Sequence, residues 1–227
     1  MRTDFVYDAK RMLRKTLFSA WLLTIVVLCC GGLASAQVTN RQTKESAQQG
    51  NEQKPASGAA EQSPAHKYFT DVVLVNQNGE KMRFYSDLLQ GKVVIINSFF
   101  GTCQGSCLPM NRNLEKVQQA LRDRVGKDVR IISISVDSTV DTPPVLKEYA
   151  KKLHAGPGWY FLTGDKENVD LALHKLGQFV TDKNDHLNII IIGNERTGLW
   201  KKAFGLAQSD ELVRVVESVI NDQPAGQ

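Results

Sequence analysis

Three short and almost uninterrupted apolar runs constrain the fold of this chain more than any other feature. They lie at residues 93–96, 131–134 and 187–192. Runs of this length are typical of strands that are covered on both faces. Segments with helical spacing separate them. We therefore predict an α/β fold, with a central mixed β-sheet flanked by helices.

Helical spacing and capping residues predict where the helices lie. After the first run, apolar side chains recur every three or four residues, at Met110, Leu114, Val117 and Leu121. This spacing predicts a helix with one apolar face. Thr142 and Pro143 predict the start of another helix, and Ser209 is expected to cap the last one.

A turn signal near the start of the folded region predicts a hairpin. Residues 72–75 and 82–85 are rich in apolar and aromatic side chains, and Asn78-Gly79 lies between them. Asn-Gly between two such segments is typical of a β-hairpin. We therefore expect the sheet to begin with an N-terminal hairpin.

The first 36 residues have the layout of an export signal. Five basic and two acidic residues precede residues 17–33, which contain no charged side chain. Ala34-Ser35-Ala36 fits cleavage by a signal peptidase before Gln37. An uncleaved membrane anchor is the alternative, since the run is at the short end of what spans a bilayer. In both cases we expect a periplasmic or otherwise exported protein, with or without attachment to the inner membrane.

Composition divides the rest of the chain into a linker and a domain. Residues 37–66 are polar and contain almost no large apolar side chain, so they cannot offset the entropy of ordering. We predict a flexible linker there and a folded domain at residues 67–222. The first 16 residues hold +3 of the net charge of +4, so the domain lacks the basic excess typical of nucleic-acid binding.

The candidate functional residues are Cys103 and Cys107. The chain has four cysteines, and cleavage before Gln37 would leave only this pair. The pair lies where a strand ends and a helix begins, which is where open α/β sheets place their sites. Position at a helix N-terminus favours the thiolate, and placement at the strand end with residues 104–106 between the cysteines predicts exposure. The spacing is compatible with a disulfide, a redox couple or a metal site.

Four segments resemble the SCO/SenC family of copper chaperones for cytochrome oxidase. They are residues 103–107, residues 134–137 with 141–143, residues 159–164, and Asp185-His186 ahead of an apolar strand. The resemblance covers about residues 67–222 and implies a thioredoxin-like fold. It also implies that Cys103, Cys107 and His186 bind copper, and that Asp137 lies near the site.

The function implied by the resemblance is that of a copper metallochaperone rather than an enzyme. The implied partner is the copper-binding subunit of a cytochrome oxidase, or another copper chaperone. Two thiolates and one imidazole suit Cu(I), or Cu(II) with a fourth ligand, whereas structural zinc usually has four protein ligands.

The other sulfur and imidazole side chains are not expected to be ligands. Met110 is expected in the core, and His154 and His174 are expected to be solvated.

A thiol–disulfide oxidoreductase is the alternative function. In it, Cys103 and Cys107 would form the redox pair that acts on cysteines of a partner or senses the redox state. Gln104 and Leu108 favour this alternative, because the family usually has proline directly after each cysteine.

Overall fold

The computed structural model describes residues 63–223, which form one seven-stranded sheet with helices on both faces. The strands are β1 (Val73–Asn76), β2 (Lys81–Arg83), β3 (Val93–Phe99), β4 (Val129–Ser135), β5 (Trp159–Thr163), β6 (Ile189–Asn194) and β7 (Leu199–Phe204). The helices are α1 (Pro64–Phe69), α2 (Cys107–Leu121), α3 (Pro143–Lys152), α4 (Lys166–Leu176) and α5 (Ser209–Ile220). The predicted signal at residues 1–36 and nearly all of the predicted linker lie outside the described residues.

The sheet is mixed, as predicted, and its strand order is β2-β1-β5-β4-β3-β6-β7. β3, β4 and β5 run parallel, whereas β6 lies antiparallel to β3 and β7 antiparallel to β6. β1 and β2 form the predicted N-terminal hairpin. The carboxyl ends of β3 and β4 therefore meet the amino end of β6 at one edge of the sheet.

β3 is buried along its whole length, because helices cover both faces of the sheet around it. Val93, Ile95 and Phe99 pack on the face covered by α2, α3 and α5. Val94 and Ile96 pack on the opposite face, below α1 and α4. This two-sided burial explains the unbroken apolar run.

Between residues 63 and 223, no helix combines the length and apolarity needed to cross a bilayer.

Several element boundaries differ from the sequence-based expectation. Residues 84–89 form a π-helix instead of continuing the second hairpin strand. Ser209 is the first residue of α5, and Gln208 takes the N-cap position without a side-chain bond. Thr142 is the N-cap of α3 as predicted, but its side chain makes no capping hydrogen bond. α1 includes residues 64–66, which the composition had assigned to the linker.

A chain of hydrogen bonds crosses the core below the end of β3. Trp159 Nε1 donates to Ser133 Oγ (3.1 Å), and Ser133 Oγ donates to Asn97 Oδ1 (2.7 Å). Asn97 Nδ2 donates to Asn111 Oδ1 (3.0 Å), and Asn111 Nδ2 donates to the Tyr149 oxygen (3.1 Å). Burial raises the pKa of Tyr149 to about 12, so the phenol stays neutral. These hydrogen bonds join α2 to the central strands and to α3.

Replacing Asn97 with alanine is expected to destabilise the fold. The variant leaves Asn111 Oδ1 without its donor and the Ser133 hydroxyl without its acceptor, both in the core. We expect a loss of about 2–4 kcal/mol in the free energy of unfolding, measured by urea denaturation. Gln119→Ala, at an exposed position of α2, is the control and should change stability by less than about 0.5 kcal/mol. Equal effects of the two substitutions would contradict this role of the polar chain.

Candidate metal centre

Three segments that are distant in sequence meet at the edge where β3 ends. Cys103 lies in the loop after β3, Cys107 is the first residue of α2, and His186 precedes β6. Their ligand atoms all lie within 4.8 Å of one another. Within residues 63–223, this is the only group of three or more His, Cys, Asp or Glu side chains so placed. The structure therefore brings together the three residues singled out from the sequence.

The two cysteines have different environments. Cys103 is partly exposed and lies outside the helix, where its N–H donates to the Phe100 carbonyl (3.2 Å). Cys107 is fully buried, so the expectation of exposure was wrong for it. Burial raises the pKa of the Cys107 thiol, and the neighbouring Cys103 thiol adds to the rise. Desolvation thus outweighs the helix N-terminus that was expected to favour the thiolate.

The hydrogen bonds of His186 fix the tautomer of its imidazole. Nδ1 lies 3.0 Å from the Lys183 carbonyl oxygen, which can only accept, so Nδ1 carries the proton. In the neutral ring, Nε2 is then an acceptor, and it lies 3.0 Å from Cys107 Sγ. The Cys107 thiol therefore donates to Nε2. A metal that replaced this proton would meet a nitrogen lone pair and a sulfur that already face each other.

Asp137 lies beside the site but outside the cluster of ligand atoms. Its Oδ2 forms an ion pair with Lys183 Nζ at 2.6 Å, and its Oδ1 accepts from the Thr139 hydroxyl. The bond with Asp137 raises the pKa of Lys183, so the ammonium stays charged. Sequence reasoning missed Lys183. Its position three residues before His186 was the available signal.

A buried carboxylate supports the cysteine loop from below. Asp141 Oδ2 accepts from the Gly101 N–H (2.9 Å) and from the Ser135 hydroxyl, whereas its Oδ1 has no hydrogen-bond partner. A Cβ at Gly101 would lie 2.6 Å from Oδ1. Glycine is therefore needed for this close approach, and the φ angle of Gly101 lies outside the left-handed region. Burial raises the pKa of Asp141.

The remaining sulfur and imidazole candidates lie elsewhere. Met110 is fully buried in the core, as predicted. His154 is largely exposed and bonds to Glu115, and exposed His174 stacks on Phe179. Two sulfurs and one nitrogen thus form the candidate donor set, and soft donors of this kind favour copper over hard cations.

Comparison with known proteins points to one family. The family model described as SCO1/SenC matches residues 60–220. An SCO2-like protein of Rickettsia prowazekii is 34% identical over 132 residues, which cover 57% of this chain and 62% of that protein. The matches cover 45–62% of the length of the curated relatives.

Solved structures share the fold. BsSco, a member of the Sco family of cytochrome c oxidase assembly proteins in which a disulfide switch has been identified, superposes with a TM-score of 0.57. It is 26% identical, and the match covers 68% of this chain and 94% of BsSco. Yeast Sco1 with copper bound gives 0.56 at 25% identity, covering 69% of this chain and 94% of the yeast chain. The thioredoxin-like fold expected from the sequence is confirmed.

Replacing Asp141 with asparagine is expected to change how stability depends on pH. The raised pKa means that the folded state holds the Asp141 proton more tightly than the unfolded chain. Folding stability from this group is therefore present below the unfolded pKa and is lost as pH rises through the folded pKa. The amide oxygen of the introduced asparagine can still accept both hydrogen bonds, and the new side chain carries no charge.

The stability of Asp141→Asn relative to the wild type should therefore be greater at pH 7 than at pH 4, because asparagine does not ionise. Its amide N–H groups take the place of Oδ1, which has no partner, and their cost is the same at both pH values. Urea denaturation at both pH values measures the difference. Asp123→Asn, on an exposed residue after α2, is the matched control. A stability difference that is the same at pH 4 and at pH 7 would contradict the argument.

Proposed function

The chain belongs to the SCO1/SenC family, and from that premise we propose that it is an exported copper metallochaperone. It would hold copper through Cys103, Cys107 and His186 and deliver it to the copper centre of a respiratory cytochrome oxidase. The observation that carries this proposal is the convergence of two sulfurs and one correctly protonated imidazole within 4.8 Å. In this proposal the protein binds copper temporarily and transfers it to its partner.

The asymmetry of the two cysteines suits transfer. Cys107 is buried, whereas Cys103 and His186 are both partly exposed. An incoming ligand from a partner can therefore approach from the exposed side, where Cys103 and His186 lie, while Cys107 still holds the ion. Transfer by stepwise ligand exchange needs such an open side.

The proposed partner is a protein that itself presents copper ligands, such as the copper-binding subunit of the oxidase or another chaperone. BsSco, which belongs to a family of cytochrome c oxidase assembly proteins, supports this choice. The export signal predicted at residues 1–36 would put the protein and such a partner on the same side of the membrane.

A second candidate function is thiol–disulfide exchange, and the different exposure of the cysteines favours it. The Cys103 thiolate would attack a partner disulfide, form a mixed disulfide and release one partner thiolate. The Cys107 thiol would then pass its proton to His186 Nε2, and the resulting thiolate would attack Cys103 Sγ and release the second partner thiolate. The products are a Cys103–Cys107 disulfide and a reduced partner, so two electrons pass to the partner.

Removing the imidazole is expected to weaken copper binding. We expect one copper per reduced chain in the wild type, and a loss of about 10–100-fold in Cu(II) affinity in His186→Ala, with loss of the nitrogen signal in its electron paramagnetic resonance spectrum. His174→Ala, which removes an exposed imidazole stacked on Phe179, is the control. An unchanged affinity and spectrum in His186→Ala would rule out the three-ligand site.

Alkylation separates the roles of the two cysteines. Because Cys107 is buried and burial raises its thiol pKa, iodoacetamide at pH 7 should modify Cys103 at least about tenfold faster. Peptide mapping by mass spectrometry over time measures both rates in the reduced, metal-free protein. Unfolding in urea should abolish the difference. Equal rates in the folded protein would remove the basis for assigning Cys103 as the attacking thiol.

A further inference from the structure

One lysine side chain lies between the turn that carries His186 and the ends of β3 and β4. Lys183 begins the short turn Lys183–Asp185, directly ahead of His186. Its Nζ lies 2.6 Å from Asp137 Oδ2, in the loop after β4. It also lies 5.2 Å from the centroid of the Phe100 ring, at the end of β3. The turn that carries the histidine is therefore fastened to the ends of both central strands.

The acceptor of this ion pair is itself held in place. The Asp137 N–H donates to Ser135 Oγ at 3.0 Å, and Thr139 Oγ1 donates to Asp137 Oδ1 at 3.1 Å. The Asp137 side chain is 11% exposed and that of Lys183 39%. A partly buried pair with a fixed acceptor is screened less by solvent than a surface pair. Lys183 thus meets a preformed anionic site.

The backbone of the same residue orients the imidazole. The Lys183 carbonyl accepts the His186 Nδ1 proton, and the imidazole ring lies nearly perpendicular to the Phe100 ring with the centroids 5.3 Å apart. Phe100 therefore contacts both the ammonium and the imidazole. The side chain of Lys183 fixes the turn, and its carbonyl sets the direction in which Nε2 points.

We propose that Lys183 is a positioning residue that holds His186 against the sulfur pair and thereby sets the affinity for Cu(II) relative to Cu(I). This inference rests on the proposed copper-binding function. Two thiolates already satisfy Cu(I), whereas Cu(II) depends more on nitrogen ligation. A less rigid turn at residues 183–186 therefore lowers the affinity for Cu(II) more than the affinity for Cu(I).

If Lys183 acted only through its charge, removing it would strengthen copper binding instead of weakening it. Removing the Lys183 charge leaves the Asp137 carboxylate uncompensated near the bound cation, which would strengthen binding of both copper ions. The double variant Lys183→Met with Asp137→Asn removes the pair without this imbalance of charge. The two explanations therefore predict different results for the same variants.

The test compares Cu(II) titration with Cu(I) competition against a chromophoric chelator, using the full reduced chain. We expect Lys183→Met and the double variant to bind Cu(II) about tenfold more weakly, with little change for Cu(I). Lys183→Arg should restore Cu(II) binding, because it keeps the charge and the contact with Phe100. Lys166→Met, which breaks a Lys–Asp pair on α4, is the matched control and should bind like wild type.

An equal loss for both copper ions, no loss at all, or tighter binding of both in Lys183→Met would overturn the inference. A wild-type protein that binds no copper would instead contradict the proposed function. In that case, nuclear magnetic resonance of the metal-free protein still tests the positioning role. Lys183→Met should broaden the His186 Nδ1–H signal and increase backbone motion at residues 182–188, and unchanged spectra would overturn it.

Discussion

The pairing of β3 with β4 on one side and β6 on the other is the constraint on which the rest of the structure depends. β4 runs parallel to β3 and β6 antiparallel, so two strand ends and one strand start meet at the same edge. The cysteine loop, Asp137 and His186 follow or precede these strands directly. Burial of the apolar side chains of β3 on both faces stabilises the pairing register between β3 and its two neighbouring strands. A slip of one residue would turn every side chain of the strand to the opposite face.

Much of the fold follows from apolar periodicity, because periodicity reports burial. The central strands and α2 appeared where the pattern predicted them, and so did the hairpin except for the end of its second strand. What the pattern could not predict depends on contacts between distant segments. The π-helix at residues 84–89 carries four buried side chains, so its apolar character is compatible with a strand as well as with a helix. Ser209 has the chemistry of a cap, but the chain enters α5 one residue earlier.

At the candidate metal centre, too, local sequence predicted some features, and others depend on contacts between distant segments. Cys103, Cys107, His186 and Asp137 were found from spacing and from resemblance to a family, since residue type and position carry that information. Whether each sulfur is exposed depends on the packing of α2, and no local pattern reports it. Lys183 escaped notice because a lysine ahead of a histidine is ordinary in sequence. Its role is visible only when the ends of β3 and β4 are placed beside it.

The contact between Gly101 and Asp141 has a consequence for how this sequence can diverge. The two positions are forty residues apart, yet the space for a side chain at one is occupied by the carboxylate of the other. A larger residue at 101 is acceptable only after residue 141 has become smaller, and a smaller residue at 141 leaves the Gly101 N–H without an acceptor. Substitution at either site therefore passes through an unfavourable intermediate. Descendants of this chain should inherit the glycine and the aspartate together or replace them together.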